Sequence, residues 1–229
     1  MDYGLIRSKR KTVSLRITKE GRLEVRAPLK LSKATIEQLI ESKQKWITDH
    51  LAVTIIQNQQ KAGFSLSYES MLVYRGQEYP IQAVNHKQAY FDGEFFSLPY
   101  NLDKVTLKNT IISIYKKLAK EYIATRVLYY AHQMGVMPTG IKINSAKTRW
   151  GSCSGKNSLN FSWLLILAPD TVIDYVIVHE LAHIKEHNHS AKFWGFVEYT
   201  LADYKVGQEG LKVLQSKLIL EDWSEPCKF

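Results

Sequence analysis

The sequence predicts an α+β protein in which short strands and long helices occupy separate stretches of chain. Residues 13–27 and 71–99 alternate apolar and polar side chains in short runs, as half-buried strands do. Residues 105–134 instead repeat apolar side chains at helical spacing, and residues 171–184 are apolar nearly all round, the pattern of a buried helix. With 229 residues, 45% hydrophobic and 23% charged, the chain can bury a substantial core.

Taken in order, Val13, Leu15 and Ile17 form one strand, Glu20-Gly21 a turn, and Leu23, Val25 and Ala27 a returning strand. Pro28 ends the pairing and Ser32 caps a helix on which Ile36, Leu39, Ile40, Trp46, Ile47 and Leu51 recur, with Trp46 expected in the core. The polar residues 57–70 read as a connection. "MLVYRG", "EYPIQAVN" and "AYFDGEFFSLP" read as short strands, the last folded at Asp92-Gly93. Tyr90, Phe91, Phe95 and Phe96 on it suit packing pairs better than base stacking. From Val105 a long helix presents Ile111, Tyr115, Leu118, Tyr122 and Tyr129, with Gly135 as its stop. The boundary is placed just before it, giving a smaller β-rich, basic domain with one helix over 1–102 and a second domain over 103–229. "GIKINSAK" and "SLNFSWLLIL" read as strands, the second apolar enough for burial on both faces. Between them, Gly151 and Gly155 permit a tight turn beside Arg149, Ser152 and Cys153.

The helix over 171–184 carries His179-Glu180-Leu181-Ala182-His183. Four residues are about 400° of rotation and roughly 6 Å of rise, so both imidazoles leave one face and can hold one metal ion. Glu180 stands next to the first histidine, where its carboxylate can act as general base on a metal-bound water. Histidines and a glutamate buried there without partners would be costly. Thr171 and Asp174 form a capping-box pattern at the helix start. A catalytic zinc usually takes three protein ligands, and His189 is the candidate third, with His187 and Glu198 as competitors and Cys153 as a possible fourth ligand. His189 requires the helix to stop near Glu186-His187-Asn188, Asn188 adopting a left-handed turn and Ser190 capping a new helix. Phe193, Trp194, Val197 and Leu201 of that helix would pack His189 towards the metal. A further helix follows from Gly207, without an assigned role.

Arg149 is a candidate to bind an anionic substrate or a developing oxyanion, and Ser152 to face the cleft. An extended peptide could add to this strand edge. The two cysteines, Cys153 and Cys227, are too few for a disulfide framework, and neither a secretory leader nor a membrane span is read, so a cytoplasmic location is expected. The net charge of +9 concentrates in residues 1–61, where 13 Lys/Arg face 6 Asp/Glu. Such a field attracts nucleic acid or another polyanion.

"KTRWGSCS", "LNFSWLLILAP", "YVIVHELAH" and "NHSAKFW", with "RKTVSLRI", "GRLEVRAP" and "ESKQKWI" nearer the amino terminus, resemble the YgjP-like family of predicted metal-dependent hydrolases, related to the SprT/Spartan-like and WLM zinc proteases. The resemblance implies a zincin-like second domain, zinc on His179, His183 and His189, and Glu180 as catalytic base. Two other zinc-protease patterns fit less well: Glu186 stands where metzincins have glycine and no Met follows Met137, and Glu198 lacks the Asp four residues on that gluzincins carry. The expected function is a zinc-dependent metallopeptidase acting on a peptide or protein. Alternatives are hydrolysis of a nucleotide phosphoanhydride, a basic nucleic-acid-binding protein with a structural metal, or a protease recruited by nucleic acid. Three histidines also suit Ni2+, Co2+ or Fe2+.

Overall fold

The computed structural model describes residues 2–224, which adopt the expected α+β class. They divide into two compact units, one running up to Phe64 and taking in Ile219–Asp222, the other running from Ser65 to Leu218 and taking in Trp223.

In the smaller unit β2 (Ser14–Ile17) and β3 (Leu23–Pro28) form the expected antiparallel pair, turned at Gly21 with φ +74°. A strand the alternation did not reveal, β1 (Tyr3–Ser8), pairs parallel to β3 on its other side. The Ser32 hydroxyl accepts from the Thr35 N–H and starts α1 (Lys33–Ser42). A break at Lys43 separates it from α2 (Gln44–Gly63), so the unit has two helices rather than one. Ile36, Ile40 and Ile47, four and then seven residues apart, share one helical face, and Trp46 falls about 100° to its side. Ile47 takes the buried position, and Trp46, expected in the core, is 38% exposed and lies against His50. Helix α2 also runs through the first half of the stretch expected as a connection, because Gln and Lys are good helix formers however polar they are. Leu23, Val25 and Ala27 pack on Ile36, Ile40 and Ile47 to form this unit's core.

The larger unit holds the strands β4 (Met71–Tyr74), β5 (Gln77–Val84), β6 (Tyr90–Phe91) and β7 (Phe96–Pro99) in the order β4-β5-β7-β6. Asp92 accepts from the Glu94 and Phe95 N–H groups at the expected β6–β7 turn. The long helix α3 (Lys104–Met134) starts on Asp103 and stops at Gly135 in the left-handed conformation. Its inward face carries Ile111, Tyr115, Ala119, Ile123 and Val127, while Tyr129 is exposed. The division of the chain thus falls at 64/65 rather than at 102/103. Tyr115 of α3 explains why: its hydroxyl donates to the Val73 carbonyl (2.8 Å) and its ring packs on Phe96, so this sheet shares a core with the long helix.

A second sheet has the order β8-β10-β9, from β8 (Gly140–Asn144), β9 (Gly151–Cys153) and β10 (Ser158–Ser162). The apolar run expected as one strand is divided, with Trp163–Leu167 winding into a buried 3-10 turn. Then come α4 (Asp170–Lys185), α5 (Ala191–Thr200) and α6 (Tyr204–Ile219). No capping box forms at Thr171 and Asp174. Helix α4 begins a residue earlier, after Pro169, and Asp174 accepts instead from Arg126 of α3 (2.7 and 2.6 Å) and from the Tyr130 hydroxyl (3.0 Å). Asp170 one turn before accepts from Nε and Nη2 of Arg75, in the β4–β5 turn. Two arginines therefore hold the first turns of α4. Among the described residues no helix is long and apolar enough to cross a membrane.

Candidate metal centre

Helix α4 is buried over Val172–Val178 and again at Glu180–Ala182, and its last turns bring His179 and His183 to one side. The helix ends at Lys185. Asn188 does not take the left-handed conformation expected of it; its side-chain oxygen accepts from the Ser190 N–H (3.1 Å), and the Ser190 hydroxyl accepts from Phe193 N–H to open α5. This turn carries His189 back over α4.

The ligand atoms of His179, His183 and His189 all lie within 4.8 Å of one another. The Nε2 atoms of His179 and His189 are 3.1 Å apart, close to the roughly 3.4 Å edge of a tetrahedron with metal–nitrogen bonds of about 2.1 Å. His183 Nδ1 lies 3.2 Å from the Glu186 carbonyl, which turns Nε2 towards the other two rings. Burial, and then the neighbouring histidines, pull His179 down to about 4, so its imidazole is neutral and able to ligate at neutral pH. The residues present fit a divalent metal. His187, Glu198 and Cys153 are not part of the group, and Cys227 lies outside the described residues.

Glu180 is 7% exposed. Burial pushes its carboxyl up to about 7, against the lowering effect of the Cys153 backbone N–H and of Arg149. The same burial raises the Cys153 thiol, with Glu180 adding to it, so the thiol is not an activated nucleophile.

The outer strand β9 lies against this carboxylate, and its register determines which atoms face where. Ser162 N–H donates to Trp150 (2.9 Å) and Ser154 N–H to Ser158 (3.0 Å), so the backbones of Trp150, Ser152 and Ser154 turn towards β10. Gly151 and Cys153 turn their backbone groups to the outer edge. Side chains alternate in the other sense. A Cβ on Gly151 would point at Glu180, so Ser152 lies on the opposite face of the sheet, beside Asn160. The structure therefore leaves the Ser152 hydroxyl away from the carboxylate and puts Gly151 there, a contact no sequence pattern encodes. Arg149, just before the strand, is exposed and acts on Glu180 through its charge.

The model of the YgjP-like family, described as a YgjP-like metallopeptidase domain, matches residues 11–213. The chain belongs to the YgjP-like family. It is accordingly a metal-dependent hydrolase, as the motifs implied. Among solved structures it is similar to the metallopeptidase zymogen abylysin of Pyrococcus abyssi, at 21% identity over 42% of this chain and 94% of that one, with a TM-score of 0.37. It is also similar to the zymogen jannalysin of Methanocaldococcus jannaschii, at 24% identity over 42% and 96%, with a TM-score of 0.36. No curated protein matches.

Proposed function

We propose that this YgjP-like protein is a zinc peptidase in which His179, His183 and His189 hold the ion and Glu180 moves the proton. The observation that carries the reading is the convergence of three imidazoles, with the residue next to His179 a buried glutamate whose carboxylate lies against the outer strand at Gly151. When bound, the ion supplies Lewis acidity towards a carbonyl oxygen and makes a water more acidic. Glu180 orients that water through a carboxylate oxygen, takes its proton and delivers it to the nitrogen of the departing amine. The Gly151 N–H and C=O and the Cys153 C=O face the edge where an extended peptide could pair, which favours a peptide over a nucleotide phosphoanhydride. Arg149 supplies a positive charge beside the same carboxylate.

The test compares wild type with Glu180→Gln on unfolded casein and on nucleoside triphosphates, with metal content measured alongside. The reading requires casein cleavage by the wild type and a loss of roughly a hundredfold or more in the variant with its metal retained. Triphosphate hydrolysis with casein left intact would replace it by phosphoanhydride chemistry.

A further inference from the structure

The three histidines are not held alike. His179 sits within a buried helix, and His183 is oriented by the Glu186 carbonyl at 3.2 Å. His189 is exposed, lies between α4 and α5, and among the described residues has a single hydrogen bond, the 3.1 Å contact with His179 that a shared ion would replace. Metal-bound histidines ordinarily owe their ring orientation to a hydrogen bond from the second nitrogen. Neither His179 nor His189 has one among the described residues, but the unpartnered His179 Nδ1 is buried in packed surroundings whereas His189 is exposed, and aromatic packing is what holds its ring.

The indole of Trp194 lies nearly parallel to the His189 ring, with centroids 5.9 Å apart and planes at 28°. Tyr204 of α6 continues the stack on Trp194 at 5.5 Å and 27°, and Tyr175 lies nearly parallel to Tyr204 at 6.5 Å and 23°. Tyr175 belongs to α4, one turn before His179, and meets that histidine's ring at 5.9 Å. The chain of rings thus leaves the metal site at His189 and returns to it at His179. Phe193, fully buried, meets His189 edge-on at 4.8 Å and limits its other direction. Helix α6 approaches α4 this closely because two of its contact positions are glycine: a Cβ on Gly207 would stand 2.4 Å from the Tyr175 Cβ, and one on Gly210 2.5 Å from the Val172 Cγ2.

We propose that Trp194, backed by Tyr204, is a positioning residue that sets the His189 ring for metal binding, which makes the carboxy-terminal helix part of the metal centre. Near-parallel contacts with two rings engage the indole, so it serves as a wall for the ligand rather than as a shelf for substrate. This inference rests on the three-histidine reading above.

The test measures Zn2+ affinity by chelator competition, and the Co2+ absorption spectrum, for wild type, Trp194→Leu, Trp194→Phe and Tyr204→Leu. Trp194→Leu is expected to weaken binding about tenfold or more, on the scale of lost outer-shell support, and to alter the Co2+ spectrum. Trp194→Phe keeps a planar ring and retains most of the affinity, while Tyr204→Leu moves both readouts in the same direction as Trp194→Leu. Melting of the metal-free variants separates stability from positioning. Lower melting temperatures with unchanged affinity and spectrum in folded protein would overturn the proposal. If Trp194→Leu does not fold, the half-buried Tyr204 carries the test, and wild-type affinity in Tyr204→Leu overturns it equally. A wild type that binds no metal would overturn the three-histidine reading itself, a separate result from tight binding that ignores Trp194.

Discussion

Gly151 lies so close to Glu180 that a Cβ on it would stand 2.6 Å from the glutamate Cγ and 2.7 Å from Oε1. The strand edge and the carboxylate therefore occupy touching positions, and only a residue without a side chain leaves the carboxylate where it is. Gly151→Ala should displace Glu180 without touching a histidine. Peptide hydrolysis should fall by about a hundredfold, the usual cost of misplacing a reacting group by an ångström, with metal content unchanged. Equal activity in the variant would remove this contact from the mechanism.

Arg126 and Asp174 join α3 to α4 through two charged hydrogen bonds, with Asp174 9% exposed. Arg126→Leu strands a buried carboxylate and should cost about 3–5 kcal/mol in urea unfolding. Replacing Asp174 by Leu as well should recover much of that loss, because the cost comes from the unpaired charge.

Asp170 answers to pH. Its hydrogen bonds from Arg75 hold the carboxyl below the ordinary carboxylate range, with burial acting against them. A folded-state value below the unfolded one means that the contribution is fully present above the unfolded value, about 3.9, and is lost as pH falls through the folded value. Both side chains are more than a third exposed, so solvent screening keeps the pair to about 1 kcal/mol or less. Asp170→Asn should be slightly less stable than wild type at neutral pH, and the two unfolding curves should converge in acid.

Gly207→Ala tests the packing of the carboxy-terminal helix. An added methyl group meets the Tyr175 Cβ and the Thr171 carbonyl, and thermal unfolding should show a loss of about 1–3 kcal/mol. Gly195, with no atom within 4 Å of its Cβ position, is the control, and its alanine variant should show no such loss.

Legibility followed the range of the interactions. His179 and His183 could be read because four residues on a helix return to one face, and Ser32, Asp92 and Gly135 because caps and turns are local chemistry. His189 was the candidate from the need for a third ligand and the stop signals at Glu186-His187-Asn188, and the family resemblance implied the same residue. The contacts that finish the site are distant in sequence. Arg75 and Asp170 are 95 residues apart, and Arg126 and Asp174 are 48 apart. No periodicity records such pairs. Ser152 was misplaced for a related reason: polarity suggested a cleft, whereas the face it occupies depends on the register of β9 with β10. Trp46 left the core because the buried face runs through Ile36, Ile40 and Ile47, about 100° round the helix from it.

The most direct test of the central claim is the metal content of protein purified without chelators, measured by elemental analysis for the wild type and His189→Ala together. The three-histidine centre predicts one zinc per chain in the wild type and its near-complete loss in the variant. A wild type that remains free of metal after reconstitution, or a variant that keeps a full complement, would contradict it.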